Sequence, residues 1–160
     1  MVGPAKSEQE NFSAKERVLV FEVNWLGDVL FSTPMLRVLR KKYPGAYIAA
    51  LVVPGCREVL LGNNYLDEVM VFDEKGKHKG FKGKIRLIKE LRARHFTIAY
   101  LLKSSLSRTL YLCWAGISKR IGYAGKRGEF FLTERVRVPE GTLHRADTYY
   151  YLVAKDRIPN

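Results

Sequence analysis

A five-residue turn, NWLGD at 24–28, follows the first apolar run of the sequence and could carry acid–base chemistry. Its carboxylate is Asp28, and a carboxylate at the mouth of a cleft can act as a general base that takes a proton from an acceptor hydroxyl. Asn24 and Gly27 are candidate substrate-binding residues of the same turn, since a glycine lets the backbone turn tightly or approach a ligand closely. The ordinary alternative for Asp28 is to cap the following helix.

A second cluster, KSSLSR at 103–108, could bind an anion or the hydroxyls of a sugar. Serine hydroxyls and free backbone amides at the start of a helix form such a site, and Lys103 adds positive charge. Ser104 and Ser105 are the candidate binding residues, and capping of the helix by either serine is the alternative. A third cluster, GYAGKRG at 122–128, is glycine-rich and basic, which suits a phosphate-contacting loop or a surface turn.

The charge of the chain points to an anionic partner. The 160 residues include 28 Lys and Arg against 16 Asp and Glu, a formal net charge of +12. Residues 75–94 hold nine basic side chains and one acidic side chain, so this segment alone contributes +8. Such a field recruits nucleic acid, an anionic lipid surface or a phosphorylated substrate. A solvated helix face that only aids solubility is the alternative.

Several familiar chemistries are excluded by missing motifs. The sequence has no GxxxxGK[ST] phosphate loop, no GxGxxG dinucleotide fingerprint and no GxSxG nucleophile elbow. Its His and Cys residues show no metal-ligand spacing, so neither a metal nor a cofactor is predicted. Two cysteines cannot build a disulfide framework, and no apolar run is long enough to span a membrane. We therefore expect a cytoplasmic protein.

Short apolar runs alternate with amphipathic ones along the chain, and this alternation is typical of an α/β fold. The pattern predicts strands at 17–23, 47–53, 68–72, 97–102, 119–122 and 134–138, the last as an edge strand. It predicts helices at 29–42, 56–61, 84–94, 105–114 and 143–154. We expect a polar tail at 1–16 and one domain at 17–160, a Rossmann-like parallel sheet with helices on both faces. Ligands of such sheets bind beyond the carboxyl ends of the strands, where all three clusters fall.

Two motifs in this order give the chain a family resemblance: LGDVLFSTPML at 26–36 and GISKRIGY at 116–123. Over residues 17–158 the sequence resembles the lipopolysaccharide heptosyltransferases of glycosyltransferase family 9. The resemblance implies a GT-B fold, in which two Rossmann-like domains face each other across a cleft. It makes this chain the N-terminal domain, which holds the acceptor, a phosphorylated inner-core lipid A precursor. The C-terminal domain, which binds ADP-heptose, is expected to be absent, so the chain alone should be inactive.

The resemblance also implies roles for individual residues. Asp28 matches the aspartate of the family's LGD motif, the favoured general base. The resemblance places four basic residues where members of the family contact the phosphates of the acceptor: Lys77, Lys79, Lys82 and Arg127. Lys103 and Ser104 replace the family's commoner Asn-Ser or Gly-x pattern, and no metal is implied. A location in the cytoplasm, with transient contact with the inner membrane surface, completes the expectation.

Two alternatives from other classes remain at this point. A nucleic-acid-binding domain is compatible with the charge. Phe81, however, is the only aromatic residue between Lys75 and Arg94, so the basic residues are not interleaved with aromatic side chains on which bases could stack. No nucleic acid is therefore expected as a partner. A peripheral membrane module could use the helix at 84–94. That helix has no Trp or Phe on its apolar side, which favours packing on the sheet.

Overall fold

A computed structural model describes residues 16–138, 140–141 and 144–155, and a parallel β-sheet forms its centre. The strands are β1 (Arg17–Phe21), β2 (Tyr47–Val52), β3 (Glu68–Val71), β4 (Ile98–Leu101), β5 (Lys119–Tyr123) and β6 (Glu134–Val136). The helices are α1 (Leu26–Lys42), α2 (Arg57–Leu60), α3 (Gly80–Ala93), α4 (Leu106–Trp114) and α5 (Arg145–Ala154), with short 3₁₀ turns at Pro54–Cys56 and Glu129–Phe131.

The strand order is β3-β2-β1-β4-β5-β6, and every neighbouring pair is parallel. In the register of the central strand, Leu19 lies opposite Ala49 of β2 and Ala99 of β4. The chain first builds the sheet outward from β1 to β3, then returns to the other side of β1 and builds outward to β6. This order confirms the predicted Rossmann-like sheet, and it makes the gap between β1 and β4 the switch point where ligands of such folds bind.

Side chains of the buried strands alternate between two apolar layers, because successive residues of a strand face opposite sides of the sheet. Val18 and Val20 of β1 pack in the layer formed with α1, α2 and α5. Leu19 and Phe21 pack in the other layer, with α3 and α4. Helices therefore cover both faces, as predicted. The edge position predicted for the strand near residue 134 is also confirmed.

The largest difference from the sequence prediction is the start of α3, which begins at Gly80 and not at residue 84. The predicted helix at 84–94 excludes Gly80 and Gly83. Gly83 instead lies inside the helix, where a Cβ atom would come within 2.2 Å of the backbone of His78. The missing side chain thus lets the preceding loop pack directly on the helix. Residues 1–15 of the predicted tail, and residue 143 of the last predicted helix, lie outside the described residues.

Candidate functional site

The turns after β1 and β4 lie side by side at the carboxyl edge of the sheet, because these strands are parallel neighbours. The first turn carries Asn24 and Asp28, and the second carries Lys103, Ser104 and Ser105. These five predicted residues therefore flank the switch point of the sheet, which is the expected place for a ligand.

Asp28 lies in the first turn of α1, and its side chain is nearly buried. The N-cap position of α1 is Trp25, and no side chain caps this end of the helix, so Asp28 does not take the capping role. Its carboxylate forms an ion pair with Arg145 of α5, whose side chain is 66% exposed. This bond and the charge of Asp28 raise the pKa of the Arg145 guanidinium. The exposed guanidinium fixes the position of a carboxylate that would otherwise be free.

Arg108 of α4 ties the turn after β1 to the neighbouring part of the sheet. Its guanidinium is buried over the ring of Phe21, with 4.5 Å between Cζ and the ring centroid. One nitrogen, Nη1, donates to the backbone carbonyl of Glu22 at 2.7 Å, and Nη2 donates to the side-chain oxygen of Asn24. Burial lowers the pKa of Arg108. The amide oxygen of Asn24 is thus used to hold the turn, which leaves its NH₂ group as the part that could meet a ligand.

Glu22 follows the last residue of β1, and its carboxyl group is fully buried beneath the turn. Its backbone amide still pairs with the carbonyl of Leu51, so the strand geometry fixes the side chain on the face of α1 and α5. Desolvation raises the pKa of Glu22 to about 8, against the opposing effects of hydrogen bonds from the Ser32 hydroxyl and from the backbone of Val23. A neutral carboxylic acid therefore lies six residues before Asp28.

Tyr149 of α5 lies next to both acidic groups of this region. Burial raises its pKa to about 12, and the negative charges of Asp28 and Glu22 act in the same direction, while Arg145 acts against them. Tyr149 therefore remains a neutral phenol at physiological pH.

Gly27 is not required for the shape of the turn. It lies in α1 with an ordinary backbone conformation, and a Cβ atom placed on it would meet no atom within 4 Å. The expectation that this glycine permits a tight turn is therefore wrong, because the helix has already begun at Leu26. Open space above Gly27 remains compatible with close approach of a ligand, which stays a prediction.

The serine cluster divides into two different roles. Ser105 is the N-cap of α4, with its hydroxyl accepting a hydrogen bond from the amide of Arg108 at 3.4 Å. Ser104 has a buried hydroxyl with no hydrogen-bond partner among the described residues. This hydroxyl packs against Gly122 of β5, where a Cβ atom would approach it to 2.6 Å. Lys103 is exposed beside them, so a positive charge and an unsatisfied hydroxyl lie together at this strand end.

The basic residues after β3 also lie at the carboxyl edge, two strands away from β1. The ammonium group of Lys77 is held by Glu90 of α3 at 2.5 Å. The ring of His78 is buried between the amide of Asp73, which donates to Nδ1 at 3.0 Å, and the carboxylate of Glu90, 3.2 Å from Nε2. This network fixes the loop and neutralises one of its lysines.

Three other predicted cations are exposed, and none belongs to an ion pair of the described residues: Lys79, Lys82 and Arg127. Lys79 precedes α3, and Lys82 lies at the end of a groove of about 450 Å³ along the outer face of that helix. Arg127 lies beyond β5. The predicted phosphate contacts are thus spread along the edge on both sides of the switch point.

Sequence reasoning missed four residues that build this region: Glu22, Arg108, Arg145 and Tyr149. The sequence does single out Glu22, because it is the one charged residue in the apolar run VLVFEV at 18–23. The ion pair of Arg145 and the guanidinium hydrogen bonds of Arg108 join positions 84 or more residues apart, so no local spacing in the sequence predicts them. Tyr149 interacts with Asp28 and Glu22, which are just as distant in the sequence.

Among the described residues, no three or more His, Cys, Asp or Glu side chains come together as metal ligands would. Within the same residues, no helix has the length and apolar composition needed to cross a membrane.

Comparison with known proteins finds similarity to one kind of enzyme. No protein-family model matches the chain. Lipopolysaccharide heptosyltransferase 2 of Escherichia coli strain K12 is 28% identical over 122 residues, which cover 76% of this chain and 35% of that protein. A glycosyltransferase family 9 structure from Veillonella parvula matches with a TM-score of 0.79 and 26% identity, over 91% of this chain and 42% of the other.

The structure of E. coli ADP-heptose LPS heptosyltransferase II matches with a TM-score of 0.71 and 25% identity, over 86% of this chain and 40% of the other. The chain thus spans between a third and a half of the length of each of these proteins. Sequence similarity and fold agree on the same enzymes. In sequence and in fold, the chain is therefore similar to part of these heptosyltransferases and of the glycosyltransferase family 9 protein.

Proposed function

We propose that this chain is the N-terminal, acceptor-binding half of a heptosyltransferase, which moves heptose from ADP-heptose to the phosphorylated inner core of lipopolysaccharide. The observation that carries the proposal is Asp28, a nearly buried carboxylate at the switch point of the sheet. It lies in the LGD sequence of a chain similar to lipopolysaccharide heptosyltransferase 2.

In the proposed reaction Asp28 acts as the general base. It takes the proton of an acceptor hydroxyl as that oxygen bonds to the anomeric carbon of the heptose, and ADP leaves with the bonding electrons of the broken bond. Arg145 is the only partner of the carboxylate among the described residues, and its exposed side chain can move aside or bind the acceptor when a hydroxyl approaches. Holding the base in one orientation is what makes such a proton transfer efficient.

The acceptor is proposed to bind along the carboxyl edge through its phosphates. Exposed cations without ion pairs among the described residues support this: Lys79 and Lys82 on one side of the switch point, Lys103 and Arg127 on the other. The hydroxyl of Ser104 has no partner among the described residues and is proposed to bind a sugar hydroxyl, which requires this strand end to open, because the hydroxyl is buried against Gly122. Lys77 is the weakest of the candidates, because its charge is already paired with Glu90.

The donor is proposed to bind to a second Rossmann-like domain outside this chain. One relative is named for ADP-heptose, and its structure is more than twice as long as the part that this chain matches. A cytoplasmic location with transient contact with the inner membrane surface is part of the proposal. An exposed aromatic residue supports the contact, since Phe81 is 80% exposed between Lys79 and Lys82.

A test separates acceptor binding from transfer. Calorimetric titration of the chain with a phosphorylated lipid A precursor should give saturable binding, and the dephosphorylated precursor should bind at least tenfold more weakly. Titration with ADP-heptose should give no saturable heat. The whole enzyme, which includes the donor domain, should transfer heptose, whereas the chain alone should not. Tight binding of ADP-heptose by the chain would contradict the division of roles.

A further inference from the structure

The buried carboxyl group of Glu22 forms an unusual contact with α1. The hydroxyl oxygen of Ser32 lies 2.9 Å from Oε1 of Glu22 and 2.7 Å from the backbone carbonyl of Val29. Both distances are those of hydrogen bonds. A hydroxyl has one hydrogen, and a backbone carbonyl has none to give. One hydrogen can be shared by two acceptors, but each contact has a hydrogen of its own only when the carboxyl group of Glu22 is neutral and supplies the second one.

The Ser32 hydroxyl is the donor toward both oxygens when Glu22 is ionised, so its single hydrogen serves two acceptors and both bonds are weakened. When Glu22 is neutral, the same geometry allows a directed chain of two hydrogen bonds, in which the acid donates to the oxygen of Ser32 and Ser32 donates to the carbonyl of Val29. Val29 directly follows Asp28, so these bonds join the end of β1 to the part of α1 that carries the proposed base.

Among the described residues, the hydrogen bonds from Ser32 and from the backbone of Val23 favour a negative charge on Glu22, but no cation is paired with it. None of the ion pairs among the described residues involves Glu22, and its second oxygen, Oε2, is buried with no partner there. The titratable or charged side chains that interact with Glu22 are Cys56 of the turn after β2, Tyr149 of α5 and Arg108 of α4. Asp28 of α1 and Arg145 of α5 also act on Tyr149. Arg108 of α4 donates to the backbone carbonyl of Glu22 and not to its carboxyl group.

We propose that Glu22 is a proton-sensitive positioning residue, which holds the first turn of α1 and thereby Asp28 in the productive place only while it is neutral. The proposal rests on the proposed function for its catalytic consequence. Ionisation leaves the single hydrogen of Ser32 to serve both Glu22 and Val29, and it adds a second negative charge that acts on Tyr149, besides that of Asp28. The link between Glu22 and the turn is a property of this chain by itself.

The link is tested on the chain by nuclear magnetic resonance. The side-chain carboxyl carbon of Glu22 should titrate with a midpoint near pH 8, and the amides of Val29 and Ser32 should shift with the same midpoint. In a Glu22→Gln variant these amide shifts should disappear, because an amide donates to Ser32 at every pH. A midpoint for Glu22 below pH 6, or amides of α1 that do not follow it, would overturn the proposal.

The catalytic consequence is tested on the whole enzyme with ADP-heptose and a phosphorylated acceptor. Wild-type kcat should fall about tenfold per pH unit above the midpoint of Glu22, with the KM for ADP-heptose unchanged. Glu22→Gln should keep kcat level through this range, and Glu58→Gln, at an exposed glutamate, should follow the wild type. If kcat of the Glu22→Gln variant falls with rising pH as that of the wild type does, the proposal is overturned. Absence of any transfer by the wild type would instead refute the proposed function, and the resonance titration would still decide the link.

Discussion

The Glu22→Gln variant should become more stable relative to the wild type as the pH rises. The carboxyl group has a pKa of about 8 in the folded chain, against an ordinary value of 4.5. Below pH 4.5 the Glu22 carboxyl group is protonated in both the folded and the unfolded chain, so the contribution of Glu22 to the free energy of unfolding is fully present. Between the two values only the folded chain holds it, and the free energy of unfolding falls as the pH rises. Above pH 8 the contribution is lost.

The size of the effect follows from the same two values. Each pH unit between them costs about 1.4 kcal/mol of the free energy of unfolding, so the full interval amounts to roughly 5 kcal/mol. Glutamine does not titrate and keeps the hydrogen bond to Ser32. The advantage of the variant over the wild type should therefore grow by this amount from pH 4.5 to pH 8. For a chain of this length each kcal/mol corresponds to about 2–4 °C in Tm.

The assay is urea unfolding at half-unit pH steps from 4.5 to 8.5, for the wild type, Glu22→Gln and the exposed control Glu58→Gln. The difference between the first two proteins isolates Glu22, because every other titrating group is common to both. The control should remain parallel to the wild type. A difference between wild type and Glu22→Gln that is independent of pH would refute the reasoning, since it would mean that Glu22 titrates alike in the folded and unfolded chains.

Three further predictions concern the frame of the site. Gly83→Ala should lower the free energy of unfolding, measured in urea, by about 3 kcal/mol, because the new Cβ atom would overlap the backbone of His78. Gly27→Ala, in open space on α1, should not lower it, and equal effects of the two changes would contradict this packing. Ser105→Ala should cost about 1 kcal/mol through loss of the α4 cap, and an unchanged midpoint in the same assay would argue against that cap. The double variant Lys79→Ala, Lys82→Ala should weaken calorimetric binding of the phosphorylated acceptor at least tenfold at low salt and less at high salt, and unchanged binding would remove these lysines from the acceptor site.

The sheet was predictable from the sequence because its strands are short, apolar and β-branched and are separated by amphipathic helices. The same logic located Asn24, Asp28 and Lys103, since residues that follow parallel strands must lie at one edge. The start of α3 was not predictable, because glycine weakens a helical pattern and Gly83 lies in the helix only to admit the backbone of His78, which is a tertiary contact. Contacts such as that of Arg108 with Asn24 depend on tertiary packing, which has no periodic signal.

The central claim is that Asp28 is the base of a glycosyl transfer, and kcat of the whole enzyme with Asp28→Asn tests it most directly. A lost general base should reduce kcat by about 10²–10⁴-fold. The Tm should stay within a few degrees of the wild type, because the ion pair of Asp28 involves the exposed side chain of Arg145. Asp147→Asn, which also changes an aspartate in the first turn of a helix, is the matched control and should keep wild-type turnover. Near-normal kcat in Asp28→Asn would contradict the account.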